Sequence, residues 1–326
     1  MSDRAPVGVE RVLVAGAAGM VGSAICRTLG EQGFEVLAAT RQDIDWTEQS
    51  AAVAYFEKHN PDVAILAAAK VGGIHANNTY PADFIADNLA IQNHFIGSAH
   101  ATGVERLIFL GSSCIYPKLA KQPIVESELL NGPLEPTNDA YAVAKIAGIK
   151  TCEAFNRQHG TDYRSLMPTN LYGPGDNFHP ENSHVIPALM RRIHEAKDND
   201  LDEVVIWGTG SPRREFLHVD DLARAVAHIM QIDRQAYWGV VPERESHINV
   251  GTGVDITIRE LAETLKKVVG FEGSLRFDSD KPDGTPRKVL NVQRLESLGF
   301  CASTEFEAGL VDTYQWFLAN QHSMRG

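Results

Sequence analysis

The sequence predicts an α/β fold, a doubly wound parallel sheet joined to a second, smaller α/β lobe. Three observations carry the prediction. Short apolar runs alternate with helical stretches through the first half of the chain, which implies successive right-handed βαβ crossovers. A glycine-rich turn directly follows the first apolar run and opens the first helix. The alternation then gives way to "NLYGPGDNFHPENSH" (170–184), a stretch rich in Gly, Pro, Asn and His that reads as a loop and a boundary.

In chain order, RVLVA (11–15) is the first strand, an uninterrupted apolar run like those buried on both faces of a parallel sheet. A helix is expected over 20–32, a second strand over 35–39 and a third over 63–67. A long helix over 81–101 precedes RLIFL (106–110), an apolar run ended by Gly111 and so a central strand. A helix over 141–159 and a strand over 163–167 complete the first half. Beyond the loop come a helix over 185–197, a strand over 204–207, a helix over 219–231, a strand over 248–250 and a helix over 256–269. Residues 1–172 with 217–255 form the expected sheet domain, and 173–216 with 256–326 a substrate domain, with a small-molecule cleft between them.

Composition narrows the function. A net charge of −12 argues against a nucleic-acid surface, which needs a concentrated basic footprint, but leaves room for a small phosphate ligand held by a few arginines. Cys26, Cys114, Cys152 and Cys301 lie far apart without a C-x-x-C pair, so neither a metal site nor a disulfide framework is expected. The polar start MSDRAPVGVE carries no signal-like apolar region and no apolar run is long enough to cross a bilayer, so a soluble, cytoplasmic protein is expected.

In "VAGAAGMVGSA", Gly16, Gly19 and Gly22 form G-x-x-G-x-x-G between a strand and a helix. Glycines there allow a tight turn and close approach to a pyrophosphate, while the helix N-terminus offers free N–H groups. A plain strand–helix turn would also use glycine, but this context favours a dinucleotide. The second strand ends at Ala39-Thr40-Arg41. Arg41 favours the 2′-phosphate of NADP, Asp43 keeps NAD open, and Asp45 either contacts the adenine or caps the next turn. In "DAYAVAKIAG", Tyr141 and Lys145 stand four apart on one helix face, where a lysine ammonium lowers a phenol pKa of ~10. "LGSSCIYPK" places Ser112, Ser113 and Cys114 at the carboxyl end of a strand, where open parallel sheets bind ligands.

With these residues the chain resembles the extended short-chain dehydrogenase/reductases, Ser112, Tyr141 and Lys145 matching their catalytic triad. The stretches "LGSSCIYPKLAKQPIVESELLNGPLEPTNDAYAVAKIAGIK", "PTNLYGPGDNFHPENSHVIPAL" and "DGTPRK" are similar to one branch of that family over essentially the whole chain. That branch holds the 3,5-epimerase/4-reductases that turn GDP-4-keto-6-deoxymannose into GDP-L-fucose with NADPH. The resemblance implies cofactor contact at Gly16, Ala17, Ala18, Gly19, Met20, Val21, Gly22 and Arg41, and again at Leu110, Gly111, Ser112 and Ser113. It extends the cofactor site to Tyr141, Lys145, Pro168, Thr169, Asn170, Leu171 and His184. Substrate contact falls on Arg192, Trp207, Arg214 and Asp283, with Arg191 and Arg213 as the neighbours most easily confused with them. One departure weakens the NADP inference: Ala17-Ala18 stands where the family often has His-Arg.

The chemistry so implied accounts for Cys114. A C4 ketone acidifies the hydrogens on C3 and C5, and inverting those centres needs a base on one face and an acid on the other. Thiol and imidazole exchange protons near neutral pH, as serine does not. The resemblance assigns the second role to His184, with Tyr141 then donating a proton to the C4 oxygen and Ser112 holding it. Cys114 as a packing residue and His184 as a helix cap are the plain alternatives. His179 gets no role, and Cys26, Cys152 and Cys301 read as structural. A 4-epimerase or 4,6-dehydratase on the same scaffold, or a non-catalytic dinucleotide sensor, are the competing functions. A homodimer is the family expectation.

Overall fold

The computed structural model describes residues 11–180 and 182–321; the polar N-terminal stretch read as lacking a signal segment lies outside the described residues. The first half runs β1 (Arg11–Ala15), α1 (Met20–Glu31), β2 (Glu35–Ala39), α2 (Gln49–His59), β3 (Val63–Leu66), α3 (Ile74–Thr79), α4 (Pro81–Ala101), β4 (Arg106–Leu110), α5 (Asp139–His159) and β5 (Asp162–Pro168). Next come β6 (Asn170–Tyr172), α6 (Val185–Asp198), β7 (Glu203–Trp207), β8 (Arg213–His218), α7 (Val219–Gln231), α8 (Arg234–Val240) and β9 (His247–Val250). The chain closes with β10 (Asp255–Thr257), α9 (Ile258–Val269), β11 (Ser274–Asp278), β12 (Arg287–Lys288), α10 (Gln293–Ser297) and α11 (Phe306–Asn320). Among the described residues no helix is long and apolar enough to cross a membrane.

Six strands form one parallel sheet in the order β2-β1-β3-β4-β5-β9. Period-two alternation sends Val12, Val14, Ile65 and Ile108 to one face, packed on Ala24, Ile25 and Leu29 of α1 and Leu222, Val226 and Ile229 of α7. Leu13, Ala15, Leu66, Leu107 and Phe109 go to the other, packed on Phe56 of α2, Phe95 and Ile96 of α4 and Ile146 and Ile149 of α5. The chain leaves β1 towards β2 on one side and returns to β3 on the other, so the switch point lies between β1 and β3, where a ligand crevice opens.

A third core joins α6, α9 and α11 through Leu189, Met190, Ile193, Leu261, Leu265, Leu310 and Phe317. It sits beside two small sheets, β10-β8-β12 with β6 on β8, and β11-β7. Two segments differ from the sequence reading here. The start of the 170–184 loop is a strand, because Asn170, Leu171 and Tyr172 pair with Phe216, Leu217 and His218. The helix expected from 256 starts at Ile258, because Asp255–Thr257 pairs antiparallel with β8 and Thr257 then caps α9 in a reciprocal box with Glu260. Leu290 packs into the α4–α5 face of the large sheet and Leu295 into the α1–α7 face. A buried carboxylate ties these parts together: Glu215 of β8 accepts from the backbone N–H groups of Thr252 (2.7 Å), Gly253 (2.7 Å) and Leu290 (2.9 Å).

The contact that positions the site is α5 on β4. Tyr141, Lys145 and Gly148 follow i, i+4, i+7 spacing along one face of α5. A methyl on Gly148 would lie 2.3 Å from Phe109 Cζ and 2.9 Å from Gln92 Oε1, so the bare backbone lets the helix sit close against the sheet. Gln92 of α4 also donates to the Ala144 carbonyl at 2.7 Å. Phe109 is fully buried and has no room to yield. Gly148→Ala should therefore cost about 1–3 kcal/mol of stability by overpacking. A melting temperature within a degree of the parent would show that α5 does not depend on this approach.

Candidate active site

The carboxyl edge of the large sheet collects most of the residues singled out in the sequence. At the end of β1 the chain turns through Gly16, whose φ of +84° suits glycine, and a Cβ there would meet the Ala68 backbone at 2.8 Å. A Cβ on Gly22 would fall 2.1 Å from the Gly16 carbonyl oxygen, so α1 starts directly against the turn. Gly19 is the N-cap of α1 and offers no side chain to its first turn, leaving the leading N–H groups turned to the crevice past Ala17 and Ala18. That cradle fits a dinucleotide pyrophosphate.

At the end of β2, Arg41 is exposed, whereas Asp43 is engaged. Its Oδ2 accepts from the Thr40 backbone N–H at 2.9 Å and the Thr40 hydroxyl at 2.6 Å. Asp45 caps the following turn, accepting from Thr47 N at 2.9 Å and Thr47 Oγ1 at 2.7 Å, which decides between the two roles open to it in the sequence. Arg41 thus stands exposed at this edge, near enough to Asp45 to favour that residue's carboxylate form.

Beyond β4, Ser112 caps a short turn over Ser113–Ile115, its Oγ accepting from Cys114 N at 3.3 Å. The Ser112 hydroxyl lies near the Tyr141 side chain and favours its ionised form. Lys145 is buried and donates to the Leu110 carbonyl at 2.8 Å, its Nζ 5.8 Å from the centre of the Tyr141 ring. The expected lowering of the Tyr141 pKa does not occur. Burial raises it first, the neighbouring Cys114 adds to the rise, and the Ser112 hydroxyl only partly opposes it. Lys145 explains why: burial brings it down to about 7, so it is no longer a full positive charge at neutral pH. The phenol is held as an acid. Phe84 of α4, which the sequence reading did not single out, packs edge-on to Tyr141 at 6.4 Å.

Cys114 is half-buried, and its Sγ accepts from Asn138 Nδ2 at 3.4 Å. Asn138 is the N-cap of α5, another residue the sequence reading passed over because it began that helix at Tyr141. His184 is the N-cap of α6 without a side-chain capping bond; its surface is exposed, and partial desolvation by the surrounding protein lowers its pKa. The loop before it rests on the sheet edge beyond β3, Gly73 N donating to the Asn182 carbonyl at 3.4 Å. Pro168 ends β5, Thr169 follows it, and Asn170 and Leu171 open β6, where Asn170 Nδ2 donates to the Glu215 carbonyl at 2.8 Å.

Arg192, Trp207, Arg214 and Asp283 come together in one pocket of about 250 Å³, with Val185, next to His184, in its wall. Arg192 donates to the Val205 carbonyl, and Arg214 to those of Arg213 (2.8 Å) and Thr285 (2.6 Å). Burial lowers the pKa of both guanidiniums, and among the described residues neither has a carboxylate within ion-pair distance. Arg191 and Arg213, by contrast, are paired with Glu195 and Asp255. The pocket therefore carries two guanidiniums against one carboxylate, Asp283, an excess of positive charge suited to a diphosphate. Trp207 is 69% exposed, a flat face for a base or sugar ring. Asp283, in the wall of the same pocket, also holds Thr209 (2.9 Å from N, 2.7 Å from Oγ1) and so braces the turn after Trp207.

A dinucleotide cradle, a Ser–Tyr–Lys constellation and a separate anion pocket are the parts of a reductase or epimerase acting on a nucleotide-linked substrate. The chain belongs to the NAD dependent epimerase/dehydratase family, which matches residues 12–251. It is 59% identical to the GDP-L-fucose synthase of Escherichia coli (strain K12) over 318 residues, covering 97% of this chain and 99% of that protein. It is 58% identical to GDP-L-fucose synthase 1 of Arabidopsis thaliana over 321 residues, 98% of this chain and 95% of the relative. Among solved structures it is similar to a GDP-L-fucose synthetase from Naegleria fowleri bound to NADP, with a TM-score of 0.86, 29% identity and coverage of 97% and 96% of the two chains.

One group near the cradle carries a pH dependence. The loop after β6 passes α1, a Cβ on Gly175 lying 3.4 Å from Met20 Cα. The next residue, Asp176, is buried with Oδ2 unpartnered, and burial raises its pKa to about 7. A raised acid favours the folded state at low pH, and that contribution is lost as pH climbs from about 4 through about 7. Asp176→Asn should therefore stabilise the protein by about 2–4 kcal/mol at pH 8 and change little at pH 4. Equal melting shifts at the two pH values would contradict this.

Proposed function

We propose that this protein is an NADPH-dependent 3,5-epimerase/4-reductase that converts GDP-4-keto-6-deoxymannose to GDP-L-fucose, working as a cytoplasmic homodimer. The observation that carries the reading is a thiol placed inside a reductase site: Cys114 lies on the same turn as Ser112 and close enough to Tyr141 for their charges to interact. A 4-epimerase or dehydratase reading leaves that thiol without work. The relatives named above support the substrate and the cofactor, and exposed Arg41 beside an engaged Asp43 supports NADP over NAD.

Arg192 and Arg214 hold the diphosphate and Trp207 offers its ring face to the base, which directs the sugar towards the sheet edge. Cys114 as thiolate takes the proton from C3 or C5, leaving an enolate stabilised by the C4 carbonyl that Ser112 holds. His184, protonated from solvent, returns a proton to the opposite face, and exchange with solvent restores the Cys114 thiolate and the His184 imidazolium before they act at the second centre. Tyr141, held protonated by burial, then donates its proton to the C4 oxygen. Bound NADPH supplies the hydride that C4 receives.

The two half-reactions separate by mutation. Tyr141→Phe should slow reduction by roughly 10²–10⁴-fold. It should leave deuterium uptake at C3 and C5 intact when NADPH is withheld. Cys114→Ser should do the reverse, losing the exchange while still binding NADPH. Undiminished exchange in Cys114→Ser would return that residue to packing. For the cofactor, Arg41→Ala should raise the KM for NADPH by about tenfold and leave that for NADH unchanged, as expected for loss of one charged phosphate contact. Equal use of both cofactors by the parent would reduce Arg41 to a surface charge.

A further inference from the structure

Asparagine is among the residues that most favour an N-cap, because its side chain accepts from the open N–H groups of the first helical turn. Asn138 holds that position on α5 and makes no such bond. Its amide is turned instead towards the β4 edge, where Nδ2 donates to Cys114 Sγ at 3.4 Å. The other end of the amide, Oδ1, is buried and has no hydrogen-bond partner among the described residues. A side chain that leaves its helix end uncapped and its own carbonyl unsatisfied is held there by what its N–H₂ touches.

We infer that Asn138 is a positioning residue for the epimerisation chemistry, donating to the Cys114 sulfur and favouring its thiolate over its thiol. The inference rests on the epimerase reading of Cys114 and adds the group that supports it. A sulfur accepting an N–H is stabilised when anionic, since the donor's partial positive charge meets a full negative one. Two titratable groups stand near this end of α5: Tyr141, which burial holds neutral, and Asp139 in the first turn, whose carboxylate opposes a thiolate rather than supporting it. The amide therefore supplies stabilisation that no neighbouring full charge supplies from α5. The atoms balance simply: the thiolate gains the carbon-bound proton as S–H, the substrate keeps the electron pair as enolate, and Asn138 exchanges nothing.

Two substitutions test this. Asn138→Ala removes the donor, and Asn138→Asp keeps the shape while replacing the donor with a repelling carboxylate. Alkylation of Cys114 by iodoacetamide, followed across pH by peptide mass spectrometry, should show its midpoint moving up by about one unit in Asn138→Ala and further in Asn138→Asp. Deuterium exchange at C3 and C5 at pH 7 should fall about tenfold and more than tenfold respectively, with NADPH affinity within twofold of the parent to show an intact fold. Unmoved alkylation midpoints with intact NADPH binding would overturn the inference. So would an Asn138→Asp variant that exchanges as fast as Asn138→Ala. Failure of the parent protein to exchange deuterium at all would instead overturn the epimerase reading on which it rests.

Discussion

Everything chemical in this molecule depends on how closely α5 lies against the end of β4. The bare backbone at Gly148 admits Phe109, and the buried Lys145 locks the approach by donating to the Leu110 carbonyl at 2.8 Å. With that distance set, the first turn of α5 meets the turn after β4. Tyr141 reaches Ser112, and Asn138 reaches Cys114. The lysine thus serves first as a fastener. Its cost is a desolvated ammonium, which the protein relieves by letting the proton go near pH 7.

This changes how the Tyr–Lys pair works. From sequence, a lysine four residues from a tyrosine suggests a cation that makes tyrosinate accessible. In the folded protein burial acts on both groups in opposite directions, raising the acid and lowering the base. The phenol is therefore held neutral, as protonation of a C4 oxygen requires, while near pH 7 the lysine is divided between its charged and neutral forms. A bound dinucleotide, with its phosphates and ribose, adds charge and hydrogen bonds to the same edge, so the balance belongs to the complex as much as to the chain.

The sheet was legible because its signals are local. Apolar runs ended by glycine gave β1 and β4 their bounds, and the three glycines after β1 marked the crevice. The second lobe was harder. Strand β8 opens on Arg213-Arg214-Glu215, three charged residues that no strand pattern would favour, and each is accounted for only by a partner distant in sequence. Arg213 pairs with Asp255, Arg214 caps the carbonyl of Thr285, and Glu215 gathers three backbone N–H groups. Helix α2 escaped because only Ala52 and Phe56 of its residues are buried, too narrow a stripe to read. The site residues followed the same rule: the motifs pointed to Ser112, Cys114, Tyr141 and Lys145, while Asn138 and Phe84 reveal themselves only through contact. Asp283, expected to contact substrate, also braces the turn that presents Trp207, a second task visible only in the fold.

The account stands or falls on whether one site both moves carbon-bound protons and delivers hydride. Incubating the unmodified protein with GDP-4-keto-6-deoxymannose and NADPH in deuterated water, and reading the product by NMR, tests both together. The expected product is GDP-L-fucose with deuterium at C3 and C5 and protium at C4, formed with one NADPH consumed per sugar. A reduced sugar that keeps protium at C3 and C5 would leave only a reductase, and turnover without loss of NADPH would contradict the account altogether.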